Sequence, residues 1–156
     1  MSTVKPIPEG YHSITPYLMI KGANEAIEFY KKAFGATEVM RLDGPNGSVG
    51  HAEIKIGDSH VMLADEWPDM GHLGPKSIGG TPVGICLYVE DADAVYQKAI
   101  DAGATVLKPI QDQFYGDRSG TVFDPFGHMW TIGTRIEDLT PEEISKRMAE
   151  MMQQQS

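Results

Sequence analysis

The chain carries a single cysteine, Cys86, in 156 residues. One thiol cannot close an internal disulfide, so the fold relies on its apolar core, and a reducing compartment is its natural setting. Long hydrophobic runs are missing too. Nothing approaches the roughly 18 consecutive apolar residues of a membrane-spanning helix. Residues 1–10 lack the apolar stretch of a secretory signal, so the expected location is the cytoplasm. Positive charge is scarce, with 13 Lys and Arg against 22 Asp and Glu and a formal net charge of −9. A field of that sign repels phosphate backbones and anionic lipid, so neither nucleic acid nor a membrane surface is an expected partner. No glycine-rich loop ends in Gly-Lys-Ser/Thr. No Gly-x-Gly-x-x-Gly follows a strand, and no Gly-x-Ser-x-Gly elbow occurs.

What is present is a repeated pattern. Residues 1–11, with Pro6 and Pro8, read as an extended arm. Residues 14–20 read as a strand and 24–34 as a helix, with Ile27, Tyr30 and Phe34 on one face, Asn24 as its cap and Gly35 as its end. A strand over 37–42 leads to the turn-rich run Asp43-Gly44-Pro45-Asn46-Gly47-Ser48, a hairpin tip. Residues 51–56 alternate, with Ala52, Ile54 and Ile56 on one face and His51, Glu53 and Lys55 on the other. Residues 60–64 return as a fourth strand. The stretch 65–82, rich in Gly and Pro, reads as an irregular linker or a lid.

The order then starts again. Residues 83–89 read as a strand and 93–102 as a helix with Val95, Ala99 and Ala102 on one face, ended by Gly103. Residues 105–109, 120–123 and 129–134 give three more strands. Gly35-Ala36-Thr37 returns as Gly103-Ala104-Thr105, and Ile20 with Ala23 returns as Val89 with Ala92. One match alone is within chance, and an unrepeated ferredoxin-like fold is the rival. Two matches in register with the same element order argue duplication. Finally, Thr140-Pro141-Glu142-Glu143 is a capping-box start, and Ile144, Met148 and Met151 or Met152 then share one face of a tail helix.

Two stretches carry a resemblance. Ile20-Lys21-Gly22-Ala23-Asn24-Glu25-Ala26-Ile27-Glu28-Phe29-Tyr30, with Phe34-Gly35-Ala36, resembles the first strand and helix of a vicinal oxygen chelate module. Asp124-Pro125-Phe126-Gly127-His128 with Trp130-Thr131 resembles the turn and last strand of a second module. Gln113-Phe114-Tyr115-Gly116-Asp117-Arg118 and the Glu137 to Glu143 tail are similar to the PhnB-like, glyoxalase-like branch. The resemblance implies an α+β fold in which two tandem βαβββ modules form curved mixed β-sheets around a cleft, with helices outside. It implies an N-terminal arm over 1–11, one domain over 12–139 and a helical tail over 140–156. Within the domain, the modules span 12–66 and 82–136, joined by a linker over 67–81.

Enzymes of that superfamily hold a divalent metal on the first and fourth strand of each module. Those positions fall here on Thr15, Met62, Gly84 and Thr131. None offers imidazole or carboxylate, so no metal and no other cofactor is expected. The candidate ligand-binding residues are Tyr17, His51, Glu53, Met62, Trp67, Phe114, Tyr115 and Arg118. His51 and Glu53 share one strand face. Phe114, Tyr115 and Arg118 form an aromatic and basic group suited to an anion or a planar ring. Trp67 either overlies a cleft or plugs the core. Tyr17 and Tyr88 share the cleft-facing parity of Thr15 and Gly84, with burial between Leu87 and Val89 as the alternative for Tyr88. Cys86, between Ile85 and Leu87, reads as a small core residue. His60 and His128 read as turn-capping or solvent-exposed, and His12 and His72 as surface residues.

Three functions stay open. The first is a metal-independent protein that binds a small organic molecule in the cleft, as a homodimer. The second is a metal-dependent lyase, isomerase or dioxygenase with a displaced site at His51, Glu53 and His128. The third is a stress-related or structural protein with no specific ligand. Catalytic residues are not identifiable from the sequence.

Overall fold

The computed structural model describes residues 3–155. It divides into two compact units, Met1–Pro82 with Pro125–His128, and Val83–Asp124 with Met129–Ser156. In the first unit, β1 (Tyr17–Ile20), α1 (Ala23–Phe34), β2 (Thr37–Asp43), β3 (Val49–Ile56) and β4 (Ser59–Asp65) follow in order. They form a four-stranded mixed sheet ordered β1-β4-β3-β2, with β1 parallel to β4 and the other pairs antiparallel. The linker holds a 3-10 turn at Pro68–Met70 and a short α-helical turn, α2 (Pro75–Ile78).

The second unit repeats the plan. β5 (Gly84–Tyr88), α3 (Ala92–Asp101), β6 (Thr105–Asp112), β7 (Asp117–Phe123) and β8 (Met129–Arg135) give a sheet ordered β5-β8-β7-β6, again with one parallel pair. The tail forms α4 (Pro141–Gln154). These are two βαβββ modules in an α+β chain, as expected, and neither sheet closes into a barrel.

Period-2 alternation decides which face each strand residue takes. Leu18, Ile20, Ala52, Ile54, Ile56, Val61 and Leu63 are buried, and so is the α1 face of Ala23, Ala26, Ile27, Phe29, Tyr30 and Ala33. Among the described residues of this unit, α1 packs on one face of the sheet, and the opposite face is the helix-free face of the unit. In the second unit the core gathers Ala92, Tyr96, Ala99, Val122, Trp130 and Ile132. The buried Trp130 indole donates to Asp124 at 2.9 Å.

Several expectations change. Asn24 does not cap α1. The N-cap is Gly22, in the left-handed region at φ 101°, and Asp65 from the end of β4 accepts from the Gly22 and Ala23 amides at 3.1 and 2.9 Å. The other Asp65 oxygen accepts from Val49 N at 2.7 Å, so one carboxylate ties helix, hairpin and sheet. A cap supplied 42 residues away leaves no local sequence signal. β1 starts at Tyr17, because Pro16 offers no amide to a ladder and Ile14 is exposed. β6 runs past Pro109, which an edge strand tolerates. In α3, Tyr96 takes the core place expected of Val95, which is half-buried. Cys86 is exposed rather than in the core. It shares parity with Gly84 and Tyr88 on the face of edge strand β5 turned away from α3, while Ile85 and Leu87 turn to the α3 side. Tyr88 is likewise 65% exposed, so burial does not explain it.

Candidate functional site

On the helix-free face of the first sheet, β3 sets His51 and Glu53 side by side, two residues apart. His51 Nε2 lies 2.8 Å from Glu53 Oε2, and His51 Nδ1 lies 2.7 Å from the Tyr17 hydroxyl. The Tyr11 hydroxyl donates to Glu53 Oε1. A carboxylate only accepts, so the partners assign the ring proton of His51 to Nε2 and leave Nδ1 to accept from Tyr17. The string therefore runs from Tyr17 O–H to His51, from His51 N–H to Glu53, and from Tyr11 O–H to Glu53. Partial desolvation raises the Tyr17 hydroxyl above the ordinary tyrosine value. The Tyr11 ring stacks on His60 at 3.8 Å and 16°, and His60 Nδ1 is buried without a hydrogen-bond partner.

Apolar side chains frame this string. Met62 sits opposite both Tyr17 and Glu53 in the register, and Leu42 and Met40 sit opposite His51 and Glu53. Tyr17, Met40 and Leu42 are exposed. A cleft of about 300 Å³ at the hairpin end of this unit is bounded by Trp67, Pro68, Asp65, Glu66 and the segment from Ser48 to Gly50. Trp67 is 52% exposed and so does not plug a core. Its backbone pairs with His72, and Glu66 accepts from Gly74 N and Ser77 Oγ, bonds that hold its carboxyl below the usual carboxylate range.

The second unit receives the remaining candidates. The Phe114 and Tyr115 rings meet edge to face at 5.2 Å, and the Tyr115 hydroxyl lies 3.2 Å from Ser119 Oγ. Arg118 does not join them. All three of its guanidinium nitrogens are held by Asp93 and Asp112, at 2.7 to 2.9 Å. Its parity on β7 explains this, since Arg118 faces α3 while Asp117 and Ser119 face the open side. Tyr11 and Asp117 were not singled out as site residues by the sequence, and His60 was read as turn-capping or solvent-exposed, whereas its Nδ1 is buried.

The superfamily's metal positions do not fit a divalent ion. Thr15 precedes β1, Met62 offers a thioether, Gly84 offers no side chain, and Thr131 Oγ1 is hydrogen-bonded to Thr121 Oγ1 at 2.9 Å. Among the described residues no three His, Cys, Asp or Glu side chains converge as a metal set. His128 does not meet His51 and Glu53 in such a set, and its Nε2 lies 3.0 Å from the Met19 carbonyl.

Two βαβββ modules with one parallel pair in each sheet define a protein of the vicinal oxygen chelate class. The sequence matches the glyoxalase/bleomycin resistance protein/dioxygenase superfamily over residues 11–132, and the chain belongs to that superfamily. An uncharacterized protein of Mycobacterium bovis is 44% identical over 140 residues, covering 88% of this chain and 92% of the relative. An uncharacterized Arabidopsis thaliana protein is 31% identical over 125 residues, covering 76% of this chain and 75% of the relative. Its X-ray structure aligns with a TM-score of 0.63 over 78% of this chain and 98% of its own. The PhnB protein of Bacillus cereus shares the fold at a TM-score of 0.63 and 20% identity, over 79% of this chain and 99% of its own. Among the described residues no helix is long and apolar enough to cross a membrane.

Proposed function

We propose that this chain binds a small organic molecule on the helix-free face of its first sheet without a metal. The observation that carries the reading is the Tyr17–His51–Glu53–Tyr11 string, set among Met40, Leu42 and Met62. A few placed polar groups in an apolar surround are the usual make-up of a small-molecule site. Tyr17, His51, Glu53 and Met62 contact the ligand, and Trp67 bounds the neighbouring cleft. The protein acts in the cytoplasm as a homodimer, in which a second copy completes the cleft. Exposed apolar residues on edge strands β2 and β6, among them Met40, Leu42, Val106 and Leu107, support that assembly.

Mass spectrometry of small molecules released from the purified protein tests the reading. A compound held by the wild type and lost from a His51→Ala, Glu53→Gln double variant with an unchanged urea midpoint is the expected result. Retention of the same compound by that variant overturns the site. One divalent ion per chain by elemental analysis overturns the metal-independent part.

A further inference from the structure

The second unit holds a pocket that the first-sheet reading does not use. It measures about 480 Å³ and is lined by Tyr88, Tyr115, Asp117, Arg135 and Ile144. Four observations decide its chemistry. Tyr88 and Tyr115 are 65% and 37% exposed, so two aromatic rings border open space. Asp117, 8% exposed, places a carboxylate among them. Its Oδ2 accepts the Tyr88 hydroxyl at 2.6 Å, leaving Oδ1 as a second acceptor. The one cation in the lining, Arg135, is already countered, with Nη2 2.6 Å from Asp138 and Nε donating to the Glu137 carbonyl at 3.3 Å. Its charge is thus partly offset by Asp138. Ile144 on α4 adds apolar surface.

The walls are fixed. Gly116, at φ 96°, turns the chain between Tyr115 and Asp117, and a side chain there would come within 2.9 Å of the Glu137 carbonyl. The Gly116 carbonyl accepts from the Ile136 and Glu137 amides at 2.9 and 3.0 Å. Arg147 on α4 grips Glu137 with two nitrogens, at 2.8 and 2.9 Å, and reaches the Phe114 carbonyl. The loop, the strand end and the tail helix are thus tied together around the opening.

We infer that this pocket binds an organic cation, a substituted ammonium group on an apolar or aromatic body. Aromatic faces attract a weakly hydrated cation, and a largely buried carboxylate adds a charge that solvent screens little. The chain's net charge of −9 draws cations toward it and repels anions. An ammonium has N–H or polarised C–H groups to offer Oδ1 of Asp117, whereas an anion meets a like charge. The site shares no residue with the Tyr17–His51–Glu53 string, so either reading stands or falls alone.

Titration with benzyltrimethylammonium, followed by NMR of the full-length protein, tests the inference against neopentylbenzene, the uncharged carbon isostere. The expected result is saturable binding that shifts tyrosine ring signals. The isostere binds about tenfold or more weakly, as loss of the cation–π and charge contributions requires. Asp117→Asn lowers affinity by a similar factor. Tyr88→Phe, which keeps the aromatic face and frees the carboxylate, retains binding. Tyr115→Ala weakens it and serves as the second variant if Asp117→Asn fails to fold. Glu53→Gln leaves it unchanged. Equal affinity for both probes, no binding of the cation, or loss of binding in Glu53→Gln but not in Asp117→Asn overturns the proposal. The compound released from the first-sheet variant reports on that other site separately.

Discussion

Single side chains carry much of the architecture, and Asp65 is the clearest case. Its two oxygens accept three backbone amides from the start of α1 and the start of β3. Removing it leaves those amides without a protein partner. Asp65→Ala is expected to lower stability by about 1–3 kcal/mol, read from the urea midpoint at constant slope. Asp65→Asn keeps one carbonyl acceptor and is expected to cost less. Tyr88 supplies a pH-dependent test. Its hydroxyl is pushed up to about 12, chiefly because Asp117 accepts its proton, with burial and the Asp117 charge adding to the effect. A raised folded-state value means the contact stabilises the fold fully below the ordinary tyrosine value near 10 and is lost as pH rises through about 12. Tyr17 and Tyr96 are also raised, so the ultraviolet titration is read as a difference. The late part of the tyrosinate transition should lose one group in Tyr88→Phe, and one group should move toward the ordinary range in Asp117→Asn. An unchanged late transition in Tyr88→Phe would show that the hydroxyl is not the group responsible.

Elements differ in how far the sequence exposes them. β3 is fully legible, because strict alternation puts His51 and Glu53 opposite Ala52 and Ile54 whatever the rest of the chain does. The start of α4 is equally legible, with Thr140 Oγ1 accepting from Glu143 N at 3.2 Å. The rest of the candidate site was not legible. Tyr11 reaches Glu53 only because the arm folds back over the sheet. Asp117 meets Tyr88 across a sequence separation of 29. Such pairings are set by strand order and leave no mark in local composition. α4 also shows what its apolar stripe does not do alone. None of its residues is buried, and Met148 and Met152 are 46% and 58% exposed. Its hold on the unit runs through Arg147 and Glu137. Arg147→Ala is therefore expected to speed hydrogen exchange along α4 and leave the urea midpoint of the body nearly unchanged. Protection of α4 equal to the wild type would show that the stripe, not the ion pair, fixes the helix.

At the scale of the whole molecule, each of the two four-stranded sheets has two edge strands, and among the described residues no further strand pairs with them. A twofold pairing is the commonest way to cover such surfaces. Light scattering at micromolar protein is expected to give about twice the chain mass of 17.1 kDa. A value near 17.1 kDa refutes the dimer. Ending the chain after Leu139 separates the roles. A dimer that persists without α4 assigns the contact to the sheets, and one that dissociates assigns it to the tail stripe of Ile144, Met148 and Met152.

The exposed thiol on β5 turns this surface into something that can be watched. Cys86 is the only sulfhydryl in the chain, and it lies two residues from Gly84 and two from Tyr88 on the face turned away from α3. A maleimide or disulfide reagent added in excess therefore labels one known point, and its rate is a clock for how often that face stands uncovered. If a second copy covers the face, labelling slows as protein concentration rises through the association range. If the face stays open, the rate is the same at every dilution.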